Sequence, residues 1–329
     1  MMKSTGQTTK AAVKWYGVRK GERTGVKRMT YEEARNWGMK QFKSFNCEED
    51  ARKYTEVENV EEIDWNEVQA IAYVDGSLNF DTETINEDEK YASYGLILYV
   101  RDRKEPFYVE SGRMQDGTEK KGDKRNLSVS RYDMAGHYVD RNRMKADPGR
   151  ENIWYTDVFQ GRENKHGFVT ASWSDASEGF GAYRAMQICF EELELDRIAI
   201  VYDHQALWDI CFDPNQNKNV PYFVGNYFKK WDEKGKKIHF IEVNSHDRGD
   251  YKKTDPLFVH GVFNDCVDML AKAETKKNPI GASENRNAVK VIDSIHDMTK
   301  NDISVRRMQA RKYVAAVTEK IKPFDEMMK

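Results

Sequence analysis

The chain has 329 residues, of which 33% are charged and 12% aromatic. Its aromatic content is too high for a mostly disordered chain, so we expect a globular protein with two or three compact units. Basic and acidic side chains nearly balance, 53 against 55, which excludes a uniformly polybasic protein.

Residues 1–55 form a basic segment. They contain thirteen Lys and Arg side chains against six acids, a net charge of +7, so that the other residues together carry −9. Such an asymmetry indicates a basic module that binds a polyanion. Strand-like runs at 15–19, 26–29 and 41–45, with helices between and after the last two, predict a small ββαβα unit.

Two capping boxes support the helices of this unit. Thr30 with Glu33, and Asn46 with Glu49, each place Glu three positions after a residue that caps helix N-termini. We therefore expect one helix to begin just after Thr30 and the other just after Asn46.

The rest of the chain predicts a larger α/β domain. We interpret residues 56–66 as an acidic linker and residues 67–276 as the domain itself. Strand-like runs at 69–74, 94–100 and 106–110 predict an antiparallel meander. The later predicted elements are a helix over 178–193, buried strands at 198–202 and 238–243, and a helix over 264–274.

Two segments lie outside this pattern. Residues 113–173 are an expected insertion. Its aromatic and basic side chains are compatible with a structural insertion, which we favour, or with a contact with nucleic acid. Residues 277–329 predict a charged, helical C-terminal extension. The sequence is compatible with three roles for its helix, which are packing on the body, binding a partner helix and lying on nucleic acid.

The cysteines and the hydropathy indicate the compartment. The four cysteines lie far apart without a CxxC pair, which indicates neither a zinc knuckle nor a disulfide scaffold. No run approaches the roughly 18 apolar residues of a membrane span, and the N-terminus lacks a secretory signal. We expect a cytoplasmic, nucleoid or nuclear protein with no membrane partner.

Four acidic residues stand out by their positions. Asp75 interrupts a strand in YVDGS, Glu178 opens a helix, Asp203 ends IAIVYD, and Asp268 lies in NDCVDMLAKA. Each one alone fits an ordinary turn, cap or solvated position. If the strands ending in Asp75 and Asp203 are neighbours, however, the carboxylates converge, and such oxygen ligands suit Mg²⁺ or Mn²⁺ in phosphoryl transfer.

The order and flanking patterns of these acids resemble ribonuclease H over about residues 69–275. Residues 15–54, including WYGVRKGERTG and FKSF, independently resemble the hybrid-binding domain that precedes type 1 ribonuclease H. The resemblance implies a five-stranded mixed sheet of order 3-2-1-4-5 with flanking helices, preceded by the small ββαβα domain.

The resemblance also implies an activity. It is the endonucleolytic hydrolysis of the RNA strand of an RNA–DNA hybrid, leaving 5′-phosphate and 3′-hydroxyl ends. Two Mg²⁺ ions, with Mn²⁺ as a substitute, would be held by Asp75, Glu178, Asp203 and Asp268. His246 would assist proton transfer or product release, against the alternative of a plain loop histidine.

The implied partner is an RNA–DNA hybrid, and double-stranded RNA could also bind the N-terminal module. The residues assigned to nucleic-acid contact by the resemblance are Tyr16, Arg19, Lys20, Tyr31, Phe42, Lys43, Ser77 and Asn79. Tyr16 and Phe42 could instead be core residues. Tyr31 and Ser44 replace the family's usual Trp and Lys, which would weaken binding. A hypothesis from another class is a non-catalytic nucleic-acid-binding or regulatory protein on the same scaffold.

Overall fold

A computed structural model describes residues 12–19, 24–38, 42–56, 58–78, 91–115, 129–132, 173–204, 206–212, 222–243, 251–275 and 303–328. The chain divides into two compact units. The first comprises Met1–Val57 with Phe212–Gln216, and the second comprises Glu58–Cys211 with Asn217–Lys329.

The first unit contains a three-stranded antiparallel sheet and two helices. The sheet order is β2-β1-β3, and the chain order is the ββαβα order expected from the sequence. The elements are β1 (Val13–Val18), β2 (Gly25–Thr30), α1 (Tyr31–Gly38), β3 (Lys43–Phe45) and α2 (Glu48–Thr55).

The two helices of this unit begin differently. The Thr30–Glu33 capping box is confirmed: the Thr30 amide donates to Glu33 Oε2 at 2.8 Å, and the Glu33 amide donates to Thr30 Oγ1 at 3.4 Å. The second box is wrong, because Cys47 occupies the N-cap of α2 and no side chain caps that helix. Helix α2 is held instead by packing of Tyr54 on Phe45, with 5.3 Å between the ring centroids.

The second unit is built on a six-stranded mixed sheet. Its strands are β4 (Ala70–Leu78), β5 (Tyr91–Val100), β6 (Tyr108–Gln115), β7 (Val129–Tyr132), β8 (Arg197–Tyr202) and β9 (Lys237–Glu242). The order across the sheet is β7-β6-β5-β4-β8-β9. Strands β4 to β7 form an antiparallel meander, whereas β4, β8 and β9 are parallel.

The expected five-stranded mixed α/β sheet is therefore present, and one further strand lies at its edge. Strand β7 adds a sixth strand at the edge, where Val109 of β6 pairs with Tyr132. This strand falls within the expected insertion of residues 113–173, and nothing in its short sequence separated it from that segment. Residues 116–128 and 133–172 of the same insertion lie outside the described residues.

The described helices of this unit flank the sheet. They are α3 (Trp173–Met186), which continues as the π-helical turn Gln187–Glu192, then α4 (Ala206–Phe212), α5 (Tyr222–Asp232), α6 (Phe258–Thr275), α7 (Ile303–Lys320) and α8 (Pro323–Met327). Within the described part of the chain, none of the helices combines the length and the apolar character needed to cross a bilayer.

Helices α3 and α6 pack on opposite faces of the sheet. Tyr94 of β5 contacts Phe180 of α3, with 4.7 Å between the rings. A Cβ on the next residue, Gly95, would lie 2.4 Å from the carbonyl oxygen of Val267 in α6. Because successive strand residues face opposite sides, the two helices enclose β4 and β5 between them.

The expected linker is partly a piece of the second unit's core. Val60, Ile63 and Trp65 are buried in the same apolar cluster as the sheet and α6. The Trp65 indole donates to the carbonyl of Val60 at 3.3 Å and stacks on His260, with 5.5 Å between the rings. Acidic residues lie between these apolar positions, so the composition of the segment did not predict their burial.

The described part of the C-terminal extension, residues 303–328, packs on the body, which was one of the three alternatives left open, and residues 277–302 lie outside the described residues. Tyr313, Val314 and Val317 of α7 are buried in the main core. The Tyr99 hydroxyl hydrogen-bonds the hydroxyl of Thr318 at 2.6 Å. Helix α8 follows, and its Phe324 ring lies 5.0 Å beneath the guanidinium of Arg101.

Candidate metal centre

Strand β4 places the first carboxylate. Residues 70–74 of this strand are fully buried, as expected for apolar and aromatic side chains in a central strand. Asp75 follows directly and is only 3% exposed. Its Oδ1 accepts a hydrogen bond of 2.6 Å from the amide of Gly76. A carboxylate so far from water requires compensation from its surroundings.

Helix α3 places the second carboxylate, that of Glu178, beside the same part of β4. The Gly76 amide also donates to Glu178 Oε1 at 3.0 Å. This approach requires glycine, because a Cβ at position 76 would lie 2.2 Å from Ser177 Oγ and 2.9 Å from the Glu178 amide nitrogen. Gly76 is therefore a determinant of the site, and the DGS pattern suggested only a turn.

A buried ion pair fixes α3 on the sheet. Arg184 of α3 donates to Glu110 of β6 through Nε at 3.0 Å, and both side chains are almost completely buried. The Tyr94 hydroxyl donates to the same Glu110 Oε1 at 2.6 Å. The sequence did not reveal this network, because its members are 16 to 74 positions apart along the chain.

The register of two parallel strands brings in the third carboxylate. Tyr73 of β4 is level with Val201 of β8, so residues 75 and 203 lie at the same height where these strands end. Ligand oxygens of Asp75, Glu178 and Asp203 all lie within 4.8 Å of one another. The expected convergence of these three acids is a feature of the structure.

The three acids disfavour one another's negative charge. The pKa of Asp75 is raised well above its ordinary value, first by burial and then by the negative charges of Asp203 and Glu178. The pKa of Glu178 is also raised well above its ordinary value, by burial and by the charge of Asp203. A bound cation would remove this repulsion, because it attracts all three groups at once.

Asp268 stands apart from this cluster. It lies on α6, and its Oδ2 accepts a hydrogen bond of 2.6 Å from the Lys272 ammonium, one helical turn further on. Its charge nevertheless adds to the causes that raise the pKa values of Asp75 and Glu178. Three of the four expected ligands thus meet within 4.8 Å, and the fourth, Asp268, is close enough for its charge to act on Asp75 and Glu178 while it pairs with Lys272.

The donor set of the cluster fits a divalent metal ion. The three acids supply only oxygen ligands, which hard cations prefer. Glu178 is 3% exposed, and its Oε2 has no hydrogen-bond partner among the described residues. A buried carboxylate oxygen without a donor is costly unless a cation or a proton reaches it. The buried acidic cluster could therefore hold a metal ion.

Two residues of α6 extend the polar surroundings. Lys272 was missed, although its position four residues after Asp268 on a helix is a signal for an ion pair. Asn264, one turn before Asp268, is buried, and its Oδ1 has no hydrogen-bond partner within the described chain. Both residues lie in the NDCVDMLAKA segment that identified Asp268.

In the first unit, three aromatic rings adjoin one another. The Phe42 ring lies 5.6 Å from both the Tyr16 ring and the Tyr31 ring. Tyr16 is 4% exposed, in agreement with the core alternative, whereas Tyr31 is 57% exposed. Lys43 begins β3 and is partly exposed, and Arg19 is mostly buried.

The remaining expected site residues divide into two groups. Ser77 lies on β4 two residues after Asp75 and is buried, so its side chain is not at the surface of the isolated chain. Lys20, Asn79 and His246 lie outside the described residues.

Comparison of the chain with models of known protein families gave no match, and a sequence search among curated proteins gave none either.

Proposed function

We propose that the protein is a ribonuclease H-like nuclease that hydrolyses the RNA strand of RNA–DNA hybrids at a centre of two divalent metal ions. The observation that carries the proposal is the convergence of Asp75, Glu178 and Asp203 within 4.8 Å, with a buried Glu178 oxygen that lacks a hydrogen-bond donor. Such a carboxylate cluster suits Mg²⁺, with Mn²⁺ as a substitute, and phosphodiester chemistry.

The architecture around the acids supports the proposal. Without the edge strand β7, the sheet order is β6-β5-β4-β8-β9, which corresponds to the order 3-2-1-4-5 of the ribonuclease H resemblance. The acids lie on β4, in the second turn of α3, which begins five residues before Glu178 and not at it, directly after β8 and on α6. These are the places where the resemblance puts the four carboxylates of the family.

The chain's own residues would divide the work as follows. Asp75 and Asp203, level with each other on parallel strands, would hold both ions, with Glu178 completing one position and Asp268 the other. Bound divalent cations would supply a deprotonated water and stabilise charge on the leaving 3′-oxygen. Gly76 holds the Asp75 and Glu178 carboxylates in place by donating to both.

The first unit would bind the hybrid. Its segment of residues 1–55 carries a net charge of +7, which favours contact with phosphates. The exposed Tyr31 ring contacts Phe42 edge to face, and it offers an apolar surface for packing on a sugar. Phosphate contacts through Lys43 and Arg19 belong to the same proposal, as does binding of double-stranded RNA.

A second candidate function is a non-catalytic nucleic-acid-binding or regulatory protein on this scaffold. The observation that favours it is the Lys272–Asp268 ion pair, because a lysine occupies one oxygen of the fourth carboxylate. The convergence of the three acids, two of which are buried, remains unexplained by this alternative, because carboxylates that repel one another cost free energy unless a cation compensates them.

A cleavage assay separates the two candidates. The wild-type protein is incubated with a hybrid labelled on the RNA strand, in Mg²⁺, in Mn²⁺ and in EDTA. Metal-dependent cutting that is lost in Asp75→Asn and Asp203→Asn, but retained in the matched variant Asp232→Asn at an exposed helix end, supports the nuclease. Binding of the hybrid without cutting in either metal supports the scaffold and contradicts the nuclease.

A further inference from the structure

Helix α6 carries a polar stripe along an otherwise apolar, buried surface. Asn264, Asp268 and Lys272 are spaced by four residues, so they lie on one face of the helix. All three are buried, and their neighbours Cys266, Val267 and Leu270 belong to the main core. A buried stripe of this kind costs free energy, because its polar groups leave water.

Within the stripe, Lys272 and Asp268 form a buried ion pair. The Lys272 Nζ lies 2.6 Å from Asp268 Oδ2, and the two side chains are 7% and 12% exposed. At this depth the attraction is weakly screened, and breaking the pair leaves an uncompensated buried charge. Lys272 therefore offsets the one carboxylate of the centre that stands outside the three-acid cluster.

The Lys272 ammonium holds Asp268 Oδ2, so a divalent cation at this carboxylate would bind Oδ1 and would lie close to the ammonium. Each needs the negative charge of the same small carboxylate, and each repels the other in a poorly solvated space. The cluster of Asp75, Glu178 and Asp203 has no such competitor on the Glu178 Oε2 atom. The two metal positions of the proposed centre are consequently unequal.

We infer that Lys272 is a positioning residue that sets the affinity of the second metal position by competing with the cation for Asp268. This inference rests on the proposed two-metal function and specifies its regulation. One ion binds tightly at the three-acid cluster. The second binds weakly, so that full loading of the centre depends on the free concentration of the divalent cation.

The test is a calorimetric titration of the metal-free, full-length protein with Mn²⁺, and with Mg²⁺, in the absence of nucleic acid. The wild-type protein should bind two ions with distinct affinities. In Lys272→Met the dissociation constant of the weaker ion should fall on the order of tenfold, because a neighbouring positive charge is removed. That of the tighter ion should change by less than about twofold, because its ligands are unaltered.

Two matched variants isolate the charge. Lys272→Arg keeps the positive charge and should retain the wild-type difference between the two affinities. Lys53→Met removes an exposed lysine from an ion pair of the same four-residue spacing in the first unit, and it should leave both affinities unchanged. If Lys272→Met does not fold, Lys272→Gln removes the charge while keeping a hydrogen-bond donor, and the same decrease is expected.

The possible failures are distinguishable. If the wild-type protein binds no divalent cation, the proposed metal-dependent function is wrong. If it binds only one in the absence of nucleic acid, the role of Lys272 at a second position is overturned and the function stands, because the substrate phosphate can supply ligands for a second ion. If it binds two ions and the weaker dissociation constant is the same in Lys272→Met or Lys272→Gln, the function stands and the role of Lys272 is overturned. Thermal melting of the metal-free proteins gives an independent readout, in which Lys272→Met should melt below Lys272→Arg because Asp268 loses its counter-charge.

Discussion

The Gly76 amide of β4 donates to Glu178 Oε1 of α3 at 3.0 Å, and no Cβ lies between the two segments. This contact joins β4 to α3 at the point where the carboxylates meet. Any side chain at position 76 would separate them.

Gly76→Ala should therefore lower metal affinity and cleavage together. The added Cβ would lie 2.2 Å from Ser177 Oγ, so α3 must shift and carry Glu178 with it. Relief of this contact requires a shift of about 1 Å, and displacing one ligand by that distance should reduce cleavage by roughly a hundredfold. The control is Gly25→Ala in the first unit, where the nearest atom to an added Cβ is 3.7 Å away. Equal cleavage rates in the two variants would contradict the required approach.

Asp75→Asn should make the metal-free protein more stable while abolishing metal binding. The amide keeps the size of the side chain and removes a negative charge that repels Asp203 and Glu178. Because burial and the neighbouring charges raise the pKa of Asp75, its replacement by a neutral amide should increase the free energy of unfolding of the metal-free protein near neutral pH. Urea denaturation in EDTA measures the change, and a loss of stability in this variant would mean that the cluster is not repulsive.

The stability of the metal-free protein should depend on pH through the same groups. Because the pKa values of Asp75 and Glu178 are raised, their favourable contribution is fully present below their ordinary pKa values of 3.8 and 4.5 and is lost as pH rises through the raised values. Stability should thus fall with rising pH, relative to the double variant Asp75→Asn, Glu178→Gln.

A divalent cation should reverse this trend, because it binds only the deprotonated carboxylates. Its affinity should increase with pH over the same interval. Melting temperatures of both proteins, measured in EDTA and in Mg²⁺ from about pH 5 to about pH 8, check the sign. Parallel pH curves for the wild-type protein and the double variant in EDTA would contradict the assignment.

The ion pair that anchors helix α7 to α6 should be essential for stability. Arg307 of α7 donates to both oxygens of the fully buried Glu274 of α6 at 2.7 Å, and Ser111 of β6 donates to the same carboxylate. Arg307→Met should reduce the free energy of unfolding by about 3 to 5 kcal/mol, because Glu274 keeps its charge in a buried position. Much of this loss should be recovered in the double variant with Glu274→Met.

The matched control is Arg52→Met in the first unit, which breaks an exposed ion pair with Glu48 and should cost at most about 0.5 kcal/mol. Denaturant titrations of the single and double variants measure the coupling. A loss in Arg307→Met no larger than that in Arg52→Met would show that α7 is not anchored through Glu274.

Tyr31→Ala should weaken hybrid binding without affecting the fold. The Tyr31 side chain is mostly exposed, so its removal costs little stability. Tyr is enriched among the interface residues whose truncation costs more than about 1 kcal/mol, so the dissociation constant of the hybrid should rise by about tenfold. Val13→Ala, at another exposed apolar position of the same unit, is the control. Unchanged affinity in Tyr31→Ala would remove this residue from the proposed interface.

The local sequence determined the elements and the positions of the acids. Buried strands such as β4 and β8 are continuous apolar runs, and the Thr30–Glu33 capping box is a contact between residues three apart. Such features depend on near neighbours in the chain, so period and spacing reveal them. The parallel pairing of β4 and β8, which brings Asp75 and Asp203 together, was only a condition at the level of sequence, and the tertiary structure supplies it.

Only the tertiary structure decided which polar groups pair and which segments are buried. It placed β7 on the sheet edge, Trp65 in the core and α7 on the body. It also paired Asp268 with Lys272. These outcomes depend on packing between residues far apart in the chain, where the same side chain is equally compatible with a solvated and a buried position until its neighbours are known.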